Sequence, residues 1–331
     1  MKEKTSVNGT ETVKLGILLA VCLIILTVIA IFVIKTFTSE PASEPKTEYE
    51  ELPVSEGMSL ETAKALLDDA GISYEIIPTQ SKTPNKVEKL EYLGKTENGK
   101  VYIEVGTAVK LHANEVAKDK IIYLTFDDGP TRDNTIDILD TLDAYGVKAT
   151  FFVQGVNVDT YPDRMVETVN RGHIVGCHSY SHQIKEIYTE VSAFSAEVKQ
   201  YEDAMKAAIG EEEFSKMKKI IRFPGGTTTN GVLSRSEALE YIGAVREDGY
   251  AVYDWTALTK DAEGCSTAEE FIQSMQSGLT SSKENNKPLI LLMHDKWSTN
   301  EALSKILDYL VSEGYYFDTV DNCPEYTFAE N

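Results

Sequence analysis

The longest uninterrupted apolar pattern in the chain lies near its start, where residues 15–34 are apolar at every position except Gly16 and Thr27. About 20 residues rising about 1.5 Å each span the hydrocarbon core of a bilayer, so the pattern predicts a transmembrane helix. Lys2, Lys4 and Lys14 precede it, while Glu40, Glu44, Glu48, Glu50 and Glu51 follow. That asymmetry predicts a cytoplasmic tail over 1–14, an anchor over 15–34 and everything beyond it outside the cytoplasm. The alternative is a cleaved signal peptide, but the run exceeds the usual h-region of about 7–15 residues and no A-x-A-like site follows it.

Residues 35–52 are rich in Ser, Thr, Pro and Glu and read as a solvated linker. The period then changes. Leu60, Ala63, Leu66, Leu67 and Ala70 recur at helical spacing between a capping Ser59 and a terminating Gly71. Residues 73–77 and 108–112 read as strands, the second entered through a turn at Gly106. Residues 53–114 are therefore expected to form a small α+β module. Its words GMSLETAKALLDDAGISYEI and VGTAVKL resemble the PASTA family of extracellular modules. That resemblance implies a spacer or a weak wall-binding module, and a generic spacer with no ligand is the alternative.

From 118 to 325, strand-like and helix-like periods alternate, as in α/β domains with a parallel sheet or barrel. The expected strands are 121–126, 149–153, 173–177, 220–223, 251–255, 289–293 and 316–320. Between them run helical stripes such as Ile138, Leu139, Leu142 and Tyr145 before Gly146, and Leu303, Ile306, Leu307 and Leu310 before Gly314. A (β/α) barrel of about seven strands is the expected fold. Charge excludes one class of partner: 53 acidic against 32 basic residues, a net of -21, argues against nucleic-acid binding through a basic surface. The four cysteines are too few and scattered for a disulfide framework. Cys22 lies in the apolar run, and Cys265 with Cys323 is a pairing left open.

The unusual polar residues fall just after expected strands, where parallel barrels carry their active sites. Asp127 and Asp128 end the first strand before Gly129-Pro130. One carboxylate can bind a metal while the other acts on a water, and strand alternation points them different ways; a plain D-D-G-P turn is the alternative. His178 and His182 stand four apart, which puts both imidazoles on one face if the segment is helical. Two nitrogens and one carboxylate oxygen leave an open position, as in catalytic zinc sites. Arg222 can hold a carboxylate ionised, and Gly225 and Gly226 let backbone N–H groups approach a substrate. His294 ends an apolar strand and suits a general acid, with a core histidine as its alternative. Cys177 reads as a small buried strand residue, and His173 and His112 have no assigned partner.

Together TFDDGP (125–130), HSYSH (178–182), RFPGG (222–226) and LMH (292–294) resemble the polysaccharide deacetylase family, also called the NodB-homology or carbohydrate esterase 4 family. The resemblance implies a distorted (β/α) barrel, one divalent metal ion (zinc first, with Co2+, Ni2+ or Mn2+ as alternatives) and hydrolysis of N-acetyl groups on amino-sugar polymers. It makes Asp127 the general base, Asp128, His178 and His182 the metal ligands, Arg222 the partner of Asp127, and His294 the acid oriented by Asp261. Pro224, Gly225 and Trp255 become oxyanion and substrate contacts. Two departures bear on the pocket: Gly225 stands where a tyrosine often follows the proline, and Ala262 where a tryptophan usually follows the aspartate, leaving Trp255 or Trp297 to fill that wall. The expected substrate is a cell-wall glycan, most simply peptidoglycan at N-acetylglucosamine or N-acetylmuramic acid. Chitin-like oligomers, an exopolysaccharide, or a non-catalytic glycan-binding wall protein are the rival readings.

Overall fold

The computed structural model describes residues 21–30, 47–79, 84–228 and 231–331. Of the expected anchor, 15–20 and 31–34 lie outside the described residues, as does the expected tail over 1–14. Residues 21–30 are helical, with Val21, Leu23, Ile24 and Leu26 exposed. Among the described residues no helix is long and apolar enough to cross a membrane.

Six short strands precede the large sheet: β1 (Tyr49–Glu51), β2 (Tyr74–Pro78), β3 (Lys89–Glu91), β4 (Gly94–Glu97), β5 (Lys100–Glu104) and β6 (Val109–Ala113). They divide between two compact units, one comprising Met1–Leu52 with Leu93–Val105, the other Pro53–Tyr92 with Gly106–Asn331. In the first unit β1, β5 and β4 form an antiparallel sheet, so the stretch expected as linker contributes a strand. β4 and β5 turn at Asn98-Gly99, both with positive φ (52° and 77°), the two-residue hairpin that Asn-Gly favours. That signal stands in the sequence, but charged flanks hide the strands. In the second unit β2, β6 and β3 form a sheet beside the helix Leu60–Ala70. Ser59 caps that helix as expected, its Oγ accepting from Thr62 N at 3.1 Å, and Gly71 ends it in the left-handed conformation.

The catalytic-length part of the second unit is built on β7 (Ile121–Gly129), β8 (Thr150–Val153), β9 (Ile174–Cys177), β10 (Ile220–Ile221), β11 (Ala251–Val252), β12 (Ala257–Leu258), β13 (Leu289–His294) and β14 (Tyr316–Asp318). All pair in parallel in the order β11-β10-β9-β8-β7-β13-β12, curled into a half-barrel, with β14 beside the start of β7. All seven expected strands are present. β12 was not expected, because two residues carry no readable period. Among the described residues β11 and β12 do not pair with each other, so the barrel expected from the sequence is an open, curled sheet.

Strand alternation gives this sheet two faces. On β7, Ile122, Leu124 and Phe126 join the core made with helices such as Asn134–Tyr145 and Trp297–Ser312, while Ile121 and Tyr123 join a second cluster with Phe152, Ile220 and Ile290. The helix Ala268–Glu284 packs so tightly on β12 that a Cβ at Gly278 would lie 2.7 Å from Ala257 Cα. Backbone cannot yield as a side chain can. Gly278→Ala is therefore expected to lower the unfolding free energy by about 1–3 kcal/mol, read as an earlier urea midpoint.

Candidate metal centre and active site

The same alternation that buries Ile121 and Tyr123 carries Thr125 and Asp127 onto the second face. Arg222 follows Ile220 there by two residues and His294 follows Ile290 by four. In register, His294 stands opposite Asp127, and the Asp295 N–H donates to Asp127 O at 2.8 Å. Asp127, Arg222 and His294, far apart in sequence, thus come to one face at the carboxyl ends of β7, β10 and β13.

Alternation does not separate the two aspartates as expected. The β7–β8 register skips between Asp127 and Gly129, leaving Asp128 as an extra residue with φ 71°. The bulge re-aims its side chain. Both carboxylates consequently face His178, whose Nε2 lies 3.7 Å from Asp127 Oδ2 and 3.6 Å from Asp128 Oδ1. His182 Nε2 lies 3.5 Å from the same Asp128 oxygen. Asp128, His178 and His182 therefore offer one ligand atom each, all within 4.8 Å of one another.

The donor chemistry fits a divalent cation. His178 Nδ1 meets the Arg222 carbonyl at 2.8 Å, which requires an N–H there and leaves the Nε2 lone pair free to face the two carboxylates. Burial favours neutral His182, and the neighbouring His178 adds to this, so its pKa is lowered against the pull of Asp128 and Asp127. Burial also works against ionised Asp128, but His178, His182, His294 and the Gln154 amide outweigh it and hold the carboxyl below its usual range. A His182 shifted toward the neutral form and an Asp128 shifted toward the ionised form are the protonation states that metal ligation needs.

The histidine pair does not sit on a helix. Residues 178–183 form a loop in which Ser179 and His182 have φ of 63° and 57°, and Ser179 Oγ accepts from the His182 N–H at 3.0 Å. Left-handed backbone at non-glycine residues is costly and persists only where surroundings impose it. Here Glu197, from the helix Val191–Ile209, accepts from Tyr180 N, Ser181 N and Ser181 Oγ at 3.0, 2.6 and 3.0 Å. Gln154 Nε2 donates to Asp128 Oδ1 at 2.8 Å, and Asn157 Nδ2 to Asp128 O at 2.9 Å. None of these three supports was anticipated. They are ordinary helix or loop polar residues in sequence, and only the fold brings them to the ligands.

Arg222 is wholly buried, and its Nη1 donates to Asp127 Oδ1 at 2.8 Å and to Thr125 Oγ1 at 2.7 Å. Nε donates to Tyr253 O at 3.0 Å and Nη2 to Asp254 O at 3.2 Å, while the guanidinium lies 4.3 Å over the Phe152 ring. Breaking such a pair strands a buried charge, at about 3–5 kcal/mol. His294 Nδ1 meets Asp261 Oδ1 at 2.8 Å, and the other oxygen accepts from His294 N and from Thr299 Oγ1. Burial opposes the charged form of His294, but Asp261 above all, with Asp127 and Asp128, raises its pKa above the ordinary histidine value. Asp261, pushed up by burial, is brought below the usual carboxylate range by His294 and Thr299.

Around this centre, the Pro224 carbonyl accepts from Tyr188 Oη at 3.0 Å and Gly225 adopts a φ of 79°. Trp255 is half-buried, packed edge-to-face on Phe328 at 4.9 Å. Ala262 is exposed and Trp297 is 66% exposed at a helix start, so between the two tryptophans only Trp255 is built into a wall. Cys177 is buried in the core, Cys265 and Cys323 are free thiols, and His173 is buried with Nδ1 accepting from Ala149 N.

Residues 114–244 match the family model described as polysaccharide deacetylase. A peptidoglycan-N-acetylglucosamine deacetylase of Bacillus cereus is 30% identical over 251 residues, covering 74% of this chain and 84% of that one. The catalytic domain of a peptidoglycan N-acetylglucosamine deacetylase from Eubacterium rectale superposes with a TM-score of 0.54 at 34% identity, over 63% of this chain and 92% of that one. The polysaccharide deacetylase Bc1974 of Bacillus cereus does so with a TM-score of 0.53 at 30% identity, over 63% and 97%. With its metal-ligand triad, buried Arg–Asp pair and Asp–His pair at one end of a curled parallel sheet, this chain belongs to the polysaccharide deacetylase family.

Proposed function

We propose that this chain hydrolyses the N-acetyl groups of N-acetylglucosamine residues in peptidoglycan, releasing acetate and leaving free amino sugars. The observation that carries the reading is the convergence of Asp127, paired with Arg222, and His294, paired with Asp261, at the end of the sheet that carries the Asp128, His178 and His182 triad. The names of the relatives support N-acetylglucosamine as the sugar attacked.

A divalent cation held by Asp128, His178 and His182 would supply Lewis acidity, favouring hydroxide over water and polarising the acetamide carbonyl. Asp127, kept in place by Arg222 at Oδ1, accepts a proton from the attacking water at Oδ2. Attack gives a tetrahedral carbon, and we assign the Gly225 N–H to receive its oxyanion. His294, with Nδ1 engaged by Asp261, donates from Nε2 to the sugar nitrogen. The C–N bond then breaks, and the amine departs neutral.

Asp127→Asn is expected to abolish acetate release from purified peptidoglycan while metal content, measured on the same sample, stays near one ion per chain. Chelation should abolish release by the unaltered chain; chelator-insensitive release would sink the reading. Asp261 raises the His294 pKa, and the acid works only while protonated, so activity is lost as pH rises through that raised value. Asp261→Asn should therefore move the alkaline limb of the kcat/KM profile to lower pH. A residual profile with an unmoved limb would assign the acid elsewhere.

We also infer that residues 15–34 tether the enzyme to the cell membrane, with 53–114, through its PASTA resemblance, acting as an extracytoplasmic spacer at the wall. The apolar run and its positive leading flank support this. The full chain should stay with membranes through alkaline carbonate washing, and removal of residues 1–34 should release it to the soluble fraction.

A further inference from the structure

Asp254 stands immediately before Trp255, is wholly buried and belongs neither to the metal triad nor to the two acid–base pairs. Its carboxylate accepts from Thr227 N at 2.9 Å, from Thr227 Oγ1 and from Phe328 N at 2.6 Å. Thr227 Oγ1 accepts in turn from Ala329 N at 3.1 Å. On the main chain, Asp254 N donates to Tyr326 O at 2.7 Å, and Tyr253 forms a parallel bridge with Tyr326. Residues 326–329 therefore run as a strap along the chain between β11 and β12, where the sheet is open. Arg246 anchors the strap's flanks through ion pairs with Glu325 and Glu330, both at 2.7 Å.

The strap, the residue before Trp255 and the RFPGG turn meet at one point. A Cβ at Gly226 would lie 3.0 Å from Phe328 Cε2, 3.1 Å from Asp254 Oδ1 and 3.1 Å from Trp255 Cη2, and Gly226 itself has φ 76°. Phe328 also packs edge-to-face on Trp255, with ring planes at 84°. The Gly225–Gly226 turn has two left-handed residues in succession and no side chain of its own to lodge it in the fold. Its position depends on what lies against it.

Resting on the deacetylase reading above, we propose that Phe328 and Asp254 are positioning residues. The strap, pinned by the Asp254 carboxylate, holds the Gly225–Gly226 turn and the Trp255 ring where the acyl group reacts. Arg222 Nη2 on Asp254 O ties the same residue to the Asp127 pair, so one buried aspartate spaces the base from the oxyanion-facing turn. An interaction that matters at the tetrahedral stage acts on kcat, with KM little changed.

The test compares the full chain with Phe328→Ala, Phe328→Leu and Phe328→Tyr on N-acetylglucosamine oligomers, with metal content and thermal midpoint measured for each. The expected result is a kcat at least about tenfold lower for Phe328→Ala and Phe328→Leu at full metal content, with KM within about twofold, and recovery in Phe328→Tyr. If Phe328→Ala does not fold, Phe328→Leu, which keeps the apolar volume without the ring, decides the matter alone. Metal-loaded Phe328→Leu with kcat within about twofold of the unaltered chain overturns the proposal, as does an equal loss in Phe328→Tyr. Absence of acetate release from the unaltered chain would instead overturn the deacetylase reading.

Discussion

A guanidinium removed from water must be fully paired or the fold cannot keep it, and Arg222 is the largest wholly buried side chain among the described residues. Its side chain ties together Thr125 and Asp127 of β7 and the carbonyls of Tyr253 and Asp254 beyond β11, strands separated by β8, β9 and β10 in the curled sheet. Its own carbonyl fixes the ring of His178. One residue thereby fixes both the Asp127 carboxylate and the ring of His178. The Phe152 face beneath the guanidinium supplies the remaining contact without competing for its donors.

Around that fixed point, the backbone departs from regular structure where the ligands are delivered. Asp128, Ser179 and His182 all have positive φ, and a bulge interrupts β7 between them and the strand. Each departure is held by a buried or half-buried polar partner: Gln154 and Asn157 for Asp128, Glu197 and the Ser179 hydroxyl for the histidine loop. Without the bulge, alternation would turn Asp128 away from the face that carries Asp127. With it, Asp128, His178 and His182 bring one ligand atom each within 4.8 Å of one another.

The His294 side is built more simply. Asp261 receives three hydrogen bonds from His294 N, His294 Nδ1 and Thr299, so the imidazole is held by both its backbone and its ring. The sheet's opening between β11 and β12 then has a use: Tyr326 and its successors run along the connecting segment, and a wall is formed there without a closing strand.

Residue chemistry and short-range period were enough to locate much of this protein. Asp127, Asp128, His178, Arg222 and His294 stand out because each is a polar residue at or just after the end of an apolar strand, and His182 because it stands four residues from His178; the alternation of β7 and β13 already implies which neighbours are buried. The helix Leu60–Ala70 was legible to its caps for the same reason, since capping depends on adjacent residues. The tertiary structure alone decided that both aspartates face His178, that the histidines occupy a loop, and that Asp254, Glu197 and Phe328 surround the site. Those outcomes rest on a one-residue register skip and on hydrogen bonds between groups as far apart as Asp254 and Phe328. Local periodicity carries no information about partners that meet only when the sheet curls.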